Sequence, residues 1–438
     1  MMSPSHGREP RGTRAPVTES TTSPPANGWL NPGGLYLAGL AFAVVGAFAA
    51  ILAAAVLTLS LKATIIDPRN ATTVLSIAVG VAGIATLVAY PVFGRLSDRT
   101  TSRLGRRRPF LLLGAMLIVL GSIVIVIASN TLVLTVGNVI LATGGSAVIV
   151  AATATVAEQF EPTRRGVPSA VVGLATPIGA LCGLFLAQWA SPSLPAMVMV
   201  PGAFGAIGAI AFALVLKDRV ISVDERPALT TRDVLNTMWV NPVRFPDFGW
   251  VWFSRLLIFI GVASVNAYQA FYLIIHLHYE PAEVGTAIFV ATAVLVAASL
   301  LFAPLMGKLS DRLGRRKPFV IAAAIIFAIG LVVVATSTTY AQFLVAIAIM
   351  GVGQGVYFSV DIALATQVLP HPESPAKDLG VLNLASQLPS SIVPVLAPAL
   401  LSLGATATSP QNFTALFLTG AVAAVLGAAL IIPIRGVR

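Results

Sequence analysis

Polar residues along this chain are gathered into short segments, and between them it runs apolar for about twenty residues or more at a time. A helix rising 1.5 Å per residue needs ~20 such residues to cross ~30 Å of hydrocarbon. Twelve stretches meet that length: 35–60, 72–93, 109–128, 132–157, 166–190, 196–216, 250–275, 284–306, 318–336, 341–369, 378–403 and 412–434. The predicted fold class is therefore all-α and membrane-integral, with twelve transmembrane helices. Residues 1–34, rich in Pro, Ser, Thr, Gly and Arg, read as a disordered tail without the short apolar core and cleavage site of a signal peptide. The charged segment 217–249 reads as a linker between a six-helix bundle at 35–216 and another at 250–434.

Composition agrees. Of the 438 residues 57% are hydrophobic and 10% charged, with a mean hydropathy of +0.89, whereas soluble domains carry roughly 25% charged residues. The net charge of +10 would suggest nucleic acid in a soluble protein, but its placement removes that reading. With residues 1–34 on the cytoplasmic side, 24 of the 27 Lys and Arg fall on that side, only Lys62 and Arg69 fall in an opposite loop, and Arg255 lies in a helix. By the positive-inside rule both termini are cytoplasmic. The single cysteine, Cys182, lies in an apolar span, so no disulfide framework is possible.

The chain also repeats itself. GRLSDRTTSRLGRRRPF at 94–110 recurs as GKLSDRLGRRKPF at 307–319 once residues 100–103 are set aside, and each copy follows the second helix of its half. Two six-helix repeats of the same orientation follow. The pattern G-x-L-S-D-R-x-G-R-R between second and third helices resembles the signature loop of the major facilitator superfamily. The longer first copy is similar to the loop of sucrose/proton symporters and the wider glycoside-pentoside-hexuronide group. That resemblance implies alternating access between two bundles, and loops that hold the cytoplasmic gate shut in the outward-facing state. It assigns gating to Gly94, Asp98, Arg99, Gly105, Arg106, Gly307, Asp311, Arg312, Gly314 and Arg315. Physically, Asp98 and Asp311 sit at turns where a carboxylate can accept bonds from the N-terminal amides of a neighbouring helix. Glu158 and Arg165, spaced E-x6-R at the end of the fourth helix, resemble the charge relay of sugar porters and join the same latch, although Thr366 stands at the matching position of the second half.

A charge in hydrocarbon costs on the order of 3 kcal/mol, so an intramembrane acid is a functional candidate by default. Asp361 lies nine residues before Pro370, about 13 Å inward at 1.5 Å per residue, on a helix that also carries Gln354 and Tyr357. It is the candidate proton-coupling group. Alternatively it pairs permanently with Arg255, which could also snorkel to the interface beside Trp250 and Trp252. Amides and phenols suited to hydroxyl groups gather in the second half: Asn266, Tyr268, Gln269 and Tyr272 in the seventh helix, Gln354 and Tyr357 in the tenth, Asn383 and Gln387 in the eleventh. With Arg255 and, in the first half, Asn138, they are the substrate-binding candidates. Pro177 in the fifth helix and Pro389, Pro394 and Pro398 in the eleventh mark matching weak points for bending.

These features describe a secondary transporter of a small organic solute, and the resemblance points to proton-coupled symport of a sugar or glycoside. A proton-coupled drug or metabolite exporter, and a membrane sensor keeping the fold without transport, stay open. No phosphate-binding G-x-x-x-x-G-K-[ST] loop or soluble catalytic domain is present, so ATP, enzymatic activity, cofactors and metals are not implied. The remaining expectations are a monomer whose partners are solute, proton and lipid bilayer, in a bacterial inner membrane, as an Ala- and Gly-rich composition suggests.

Overall fold

The computed structural model describes residues 29–161, 164–218, 220, 244–370, 375–404 and 411–434. Most of the linker at 217–249, residues 1–28 of the tail, Pro162, and the side chains of Thr366 and Lys377 lie outside the described residues.

The described residues form twelve helical spans, six in each half as the repeat requires. They are α1 (Gly34–Ile66), α2 (Ala71–Arg99), α3 (Arg108–Ile127), α4 (Thr131–Gln159), α5 (Gly166–Trp189) and α6 (Leu194–Val215), then α7 (Pro246–His276), α8 (Pro281–Leu313), α9 (Lys317–Thr336) and α10 (Tyr340–Gln367), α11 in two pieces (Pro375–Gln387 and Pro389–Ser402), and α12 (Phe413–Ala429). Eleven spans are long and apolar enough to cross a bilayer, and α12 is a shorter apolar helix. α1 and α7, the first helix of each half, both contain a π-helical turn, at Ala54–Thr58 and Tyr272–His276.

The two halves use the same helix partners. α1 packs on α5 and α6, α4 on α2 and α3, and α3 on α6; likewise α7 packs on α11 and α12, α10 on α8 and α9, and α9 on α12. Even the crossing points repeat. A Cβ on Gly46 would meet Gly205, as one on Gly261 would meet Gly420. Gly121 abuts Leu141 as Gly330 abuts Met350, and Gly144 faces Gly114 as Gly353 faces Ala323. Small residues let helix backbones approach where lipid supplies no hydrophobic drive between helices.

One end of the bundle carries the repeated loops. There Asn31 donates its backbone N–H to Gln159 O at 3.0 Å, and the Lys317 ammonium bonds Ile434 O, so the described ends of the chain meet at that same loop end. Buried apolar residues form three cores. One fills the far end and mixes both halves, running from Leu57 and Leu75 to Tyr268, Ile288 and Val393. The other two lie at the loop end, one within each half. The halves are thus joined at the far end, through α2 against α11 and α5 against α8.

Three details differ from the sequence pattern. α1 continues to Ile66, so Lys62 is in the helix and donates to Val126 O at the end of α3 at 2.7 Å, rather than in a loop. α5 runs unbroken through Pro177, while α11 is interrupted at Leu388. A Cβ on Gly179 or Gly183 would fall on the α1 backbone, which accounts for those glycines by packing. We expect Gly183→Val to lower stability by ~1–3 kcal/mol through overpacking against the Ala49 carbonyl. Gly173→Ala, with nothing within 4 Å, should be neutral or slightly stabilising; thermal unfolding in detergent compares the two.

Candidate functional site

The two loop copies reach the same turn by different routes. In the second, α8 ends at Leu313 and Gly314 caps it at φ +62°, a left-handed conformation that glycine adopts without strain. In the first, the four additional residues carry the chain out before Gly105 turns at φ +98°. Past the glycine the register is shared. Arg107 binds Asp98 at 2.5 Å and Arg316 binds Asp311 at 2.6 Å; Arg108 binds Leu216 O as Lys317 binds Ile434 O.

The first copy is the more elaborate. The Arg107 side chain is only 4% exposed and meets Glu158 and Ser97 as well as Asp98, while Arg106 also binds Glu158. Burial pulls the Arg107 guanidinium down, but Glu158 and then Asp98 outweigh it, leaving its pKa above the usual arginine value. The amides of α3 are capped by Asp218, whose carboxylate accepts from Arg107 N at 2.6 Å and Arg108 N at 2.8 Å. This corrects the expectation for Asp98, which pairs with arginines instead; Asp218 lies just after α6 and carried no motif to mark it. Arg165 does not reach Glu158: it donates to Ala157 O at 2.8 Å and Phe160 O at 3.1 Å and lies over Trp29. In the second copy Asp311 is 64% exposed, and Arg312 and Arg315 are exposed too. Gly94 and Gly307 sit near Val150 and Ser359 of their own halves, and Arg99 is half-buried in the last turn of α2. Each of these loop contacts joins residues of one half.

Cross-half contacts lie at the far end. Tyr268 and Ser76 share a hydrogen bond of 2.6 Å, Gln188 donates to Thr286 at 3.2 Å, Gln411 donates to Thr72 at 3.2 Å, and the Phe185 and Phe289 rings are 5.8 Å apart. Gly83 lets α2 settle on Ser391 of α11. Tyr268 is therefore fully buried in a seam rather than open to solute. Two other candidates are also committed to packing. Tyr272 donates to Val334 O and Ser337 O, and Asn138 donates to Ala78 O at 3.0 Å. Gln269 is buried.

A second charged cluster lies deep in the C-terminal half. Arg255 is nine residues into α7 and Asp361 six residues from the end of α10, both counted from the loop end, about 14 and 9 Å inward. They form an ion pair at 3.2 Å with side chains 12% and 6% exposed. Arg255 Nε donates to Ser386 of α11 at 2.6 Å, and its guanidinium lies over Phe259 at 5.8 Å. Tyr357 is within hydrogen-bonding reach of Asp361. Arg255 thus faces Asp361 and does not snorkel. Three helices converge on this pair, and Trp252 ties α7 to α11 through Val381 O at 2.9 Å.

Around the pair, Phe259, Val262 and Asn266 continue the Arg255 face of α7, and Asn266 is exposed. Gln354 and Tyr357 line a small recess with Phe259, Phe327 and Phe358, between α7, α9 and α10. Asn383, one turn before Ser386, and Gln387, the residue after it, are exposed on α11. Ser386 and Ser76 escaped the sequence reading because serines are common in such helices and nothing local distinguishes these two. Asp378, buried at the start of α11, escaped because it lies near the polar segment 370–377.

The contrast between the loops is testable. Glu158→Gln should cost ~2 kcal/mol, below the ~3–5 kcal/mol of a fully buried broken pair because Asp98 remains with Arg107. Asp311→Asn should stay within ~0.5 kcal/mol, since exposed pairs contribute little. Unfolding midpoints of the purified variants would decide.

Comparison with known proteins agrees with this geometry. A nucleoside transporter, NupG, superposes with a TM-score of 0.73 at 11% identity, covering 92% of this chain and 100% of its own. A bacterial homolog of the human lysosomal transporter Spinster, solved inward-facing and occupied, gives 0.69 at 12%, covering 92% and 97%. The peptide transporter POT gives 0.69 at 15%, covering 92% and 94%. No curated protein sequence is detectably similar. The family model of the major facilitator superfamily matches residues 37–300 and again 251–437, and the chain belongs to that superfamily of membrane transporters of small solutes.

Proposed function

We propose that this chain is a proton-coupled secondary transporter in which Asp361 carries the proton and Arg255 receives the solute. The observation that supports it is the buried Arg255–Asp361 pair, whose Asp361 is the acid most deeply placed in the described spans. A structural ion pair this deep is replaceable by apolar side chains at little loss of stability. A transporter gains from keeping it, because the pair's charge state can change when solute and proton arrive.

The positive-inside distribution of Lys and Arg orients the loop end, with both termini, toward the cytoplasm. The described conformation is then read as inward-facing, with its far end closed by the Ser76–Tyr268 seam. In the outward-facing state the loop ends of the two halves would close on one another, which gives Asp98, Arg106 and Glu158 and their counterparts Asp311 and Arg315 a gating role. The solute is a small organic molecule whose polar groups meet the amides of Asn266, Asn383, Gln387 and Gln354, with a hydroxylated solute such as a sugar or glycoside and an organic acid both compatible with that lining, and the membrane is the plasma membrane of a bacterium. Symport is favoured over export because solute and proton sites adjoin on one wall.

Proteoliposomes test the reading. With a proton gradient, wild-type protein should accumulate its solute. Asp361→Asn should lose accumulation, leaving internal solute at the external concentration, while still exchanging labelled for unlabelled solute, since exchange requires no proton release. Accumulation that survives in Asp361→Asn would refute the role of Asp361.

A further inference from the structure

Arg255 has five N–H donors, and its surroundings use few of them. Nη1 meets one oxygen of Asp361 and Nε meets Ser386, while Nη2 has no partner among the described residues. The guanidinium fork is therefore held in position with one side vacant. Next to it, the rings of Phe259, Phe327, Tyr357 and Phe358 wall the recess between α7, α9 and α10, with Gln354 as its amide. Phe259 lies 6.0 Å from Tyr357 and 6.5 Å from Phe358 between ring centroids.

The charges around Asp361 are few. Arg255 faces it from α7 and Tyr357 from its own helix. α11 offers the Ser386 hydroxyl to Arg255, α9 presents Ala323 and Phe327 to the recess, and α8 meets α10 at Leu295 and Ser299. Protonating Asp361 alone would strand a positive charge on Arg255, and breaking a buried pair is strongly unfavourable. A neutral solute leaves that obstacle in place. A solute carboxylate removes it by taking the guanidinium bidentately, the geometry in which arginine binds carboxylates most strongly.

Resting on the reading of Asp361 as proton carrier, we propose that the solute is a monocarboxylate with a compact apolar body, its carboxylate replacing Asp361 at Arg255 and its body lying against the half-buried Phe259 ring. One proton moves from water to Asp361 as the carboxylate binds, and no net charge is added to the site. A dianion is excluded by the same balance, because Arg255 is the one cation at the pair among the described residues.

The test measures binding to the purified full-length protein by calorimetry, and proton uptake in weakly buffered solution, with benzoate, phenylacetate and cyclohexanecarboxylate against 2-phenylethanol and methyl glucoside. At least one carboxylate should bind with uptake of about one proton, and its affinity should weaken about tenfold per pH unit once Asp361 ionises in the free protein. Asp361→Asn, a fixed mimic of the protonated acid, should bind that carboxylate more tightly and without pH dependence. Arg255→Gln should lose binding. The double variant Arg255→Gln/Asp361→Asn carries no stranded charge, so its folding separates loss of binding from loss of structure. Methyl glucoside or 2-phenylethanol taking up protons while every carboxylate fails would overturn the carboxylate and leave proton-coupled transport standing. Carboxylate binding without proton uptake, or unchanged in a folded Arg255→Gln protein, would overturn it as well. Proton movement with none of the five probes would overturn both this proposal and the coupling role it rests on.

Discussion

Close approach of helix backbones is the constraint on which the architecture depends. In lipid the apolar surfaces of helices gain little from meeting one another, so association rests on packing that small residues permit. The glycine contacts meet that need, and they occur at equivalent places in both halves: Gly46 with Gly205 and Gly261 with Gly420, Gly121 with Leu141 and Gly330 with Met350. Duplication has therefore preserved the crossing points as well as the signature loop. Each half is a closely interlocked body, and relative movement is left to the seam between them.

The seam differs in chemistry. Where the halves touch, the polar contacts are hydroxyl and amide bonds, Tyr268 with Ser76, Gln188 with Thr286 and Gln411 with Thr72. Neutral hydrogen bonds contribute ~0.5–1.5 kcal/mol each, and water can replace them when the seam parts. A seam closed by buried ion pairs would leave uncompensated charges on opening. Two charged clusters instead lie within single halves: Arg107 with Glu158 and Asp98 in one, Arg255 with Asp361 in the other.

Much of this could be read from the chain because its signals are local. Span length and the repeated loop are properties of contiguous segments, and Asp361 stood out because a carboxylate in an apolar run is costly unless it is paired or functional. The Arg255–Asp361 contact was only one of two alternatives for Arg255, since choosing it requires knowing that α7 and α10 meet. The amides and phenols were harder. Asn138, Tyr268 and Tyr272 have the same chemistry as Asn266 and Gln354, but the first three bond helices while the last two face open space or a recess. Composition cannot separate those fates, because a polar group in a membrane helix satisfies itself on whatever lies nearest. Asp218 was missed for the opposite reason: its partners, the amides of Arg107 and Arg108, are backbone groups.

The position of the buried pair connects these parts. Arg255 and Asp361 lie on α7 and α10, toward the loop end, while the same α7 reaches the far seam through Tyr268, thirteen residues from Arg255 and about 20 Å along the axis. Ser386 holds Arg255 on the first piece of α11, and Ser391, past the interruption at Leu388, is what Gly83 of α2 rests against. Two helices thus run from the charged site to the seam, and one is interrupted between those contacts. In the proposed cycle a change in what Arg255 holds would alter the load on α11 just before the break, a physical route from the site to the seam. Coupling of this kind needs only two arrangements of α11 that differ in their contacts with Arg255.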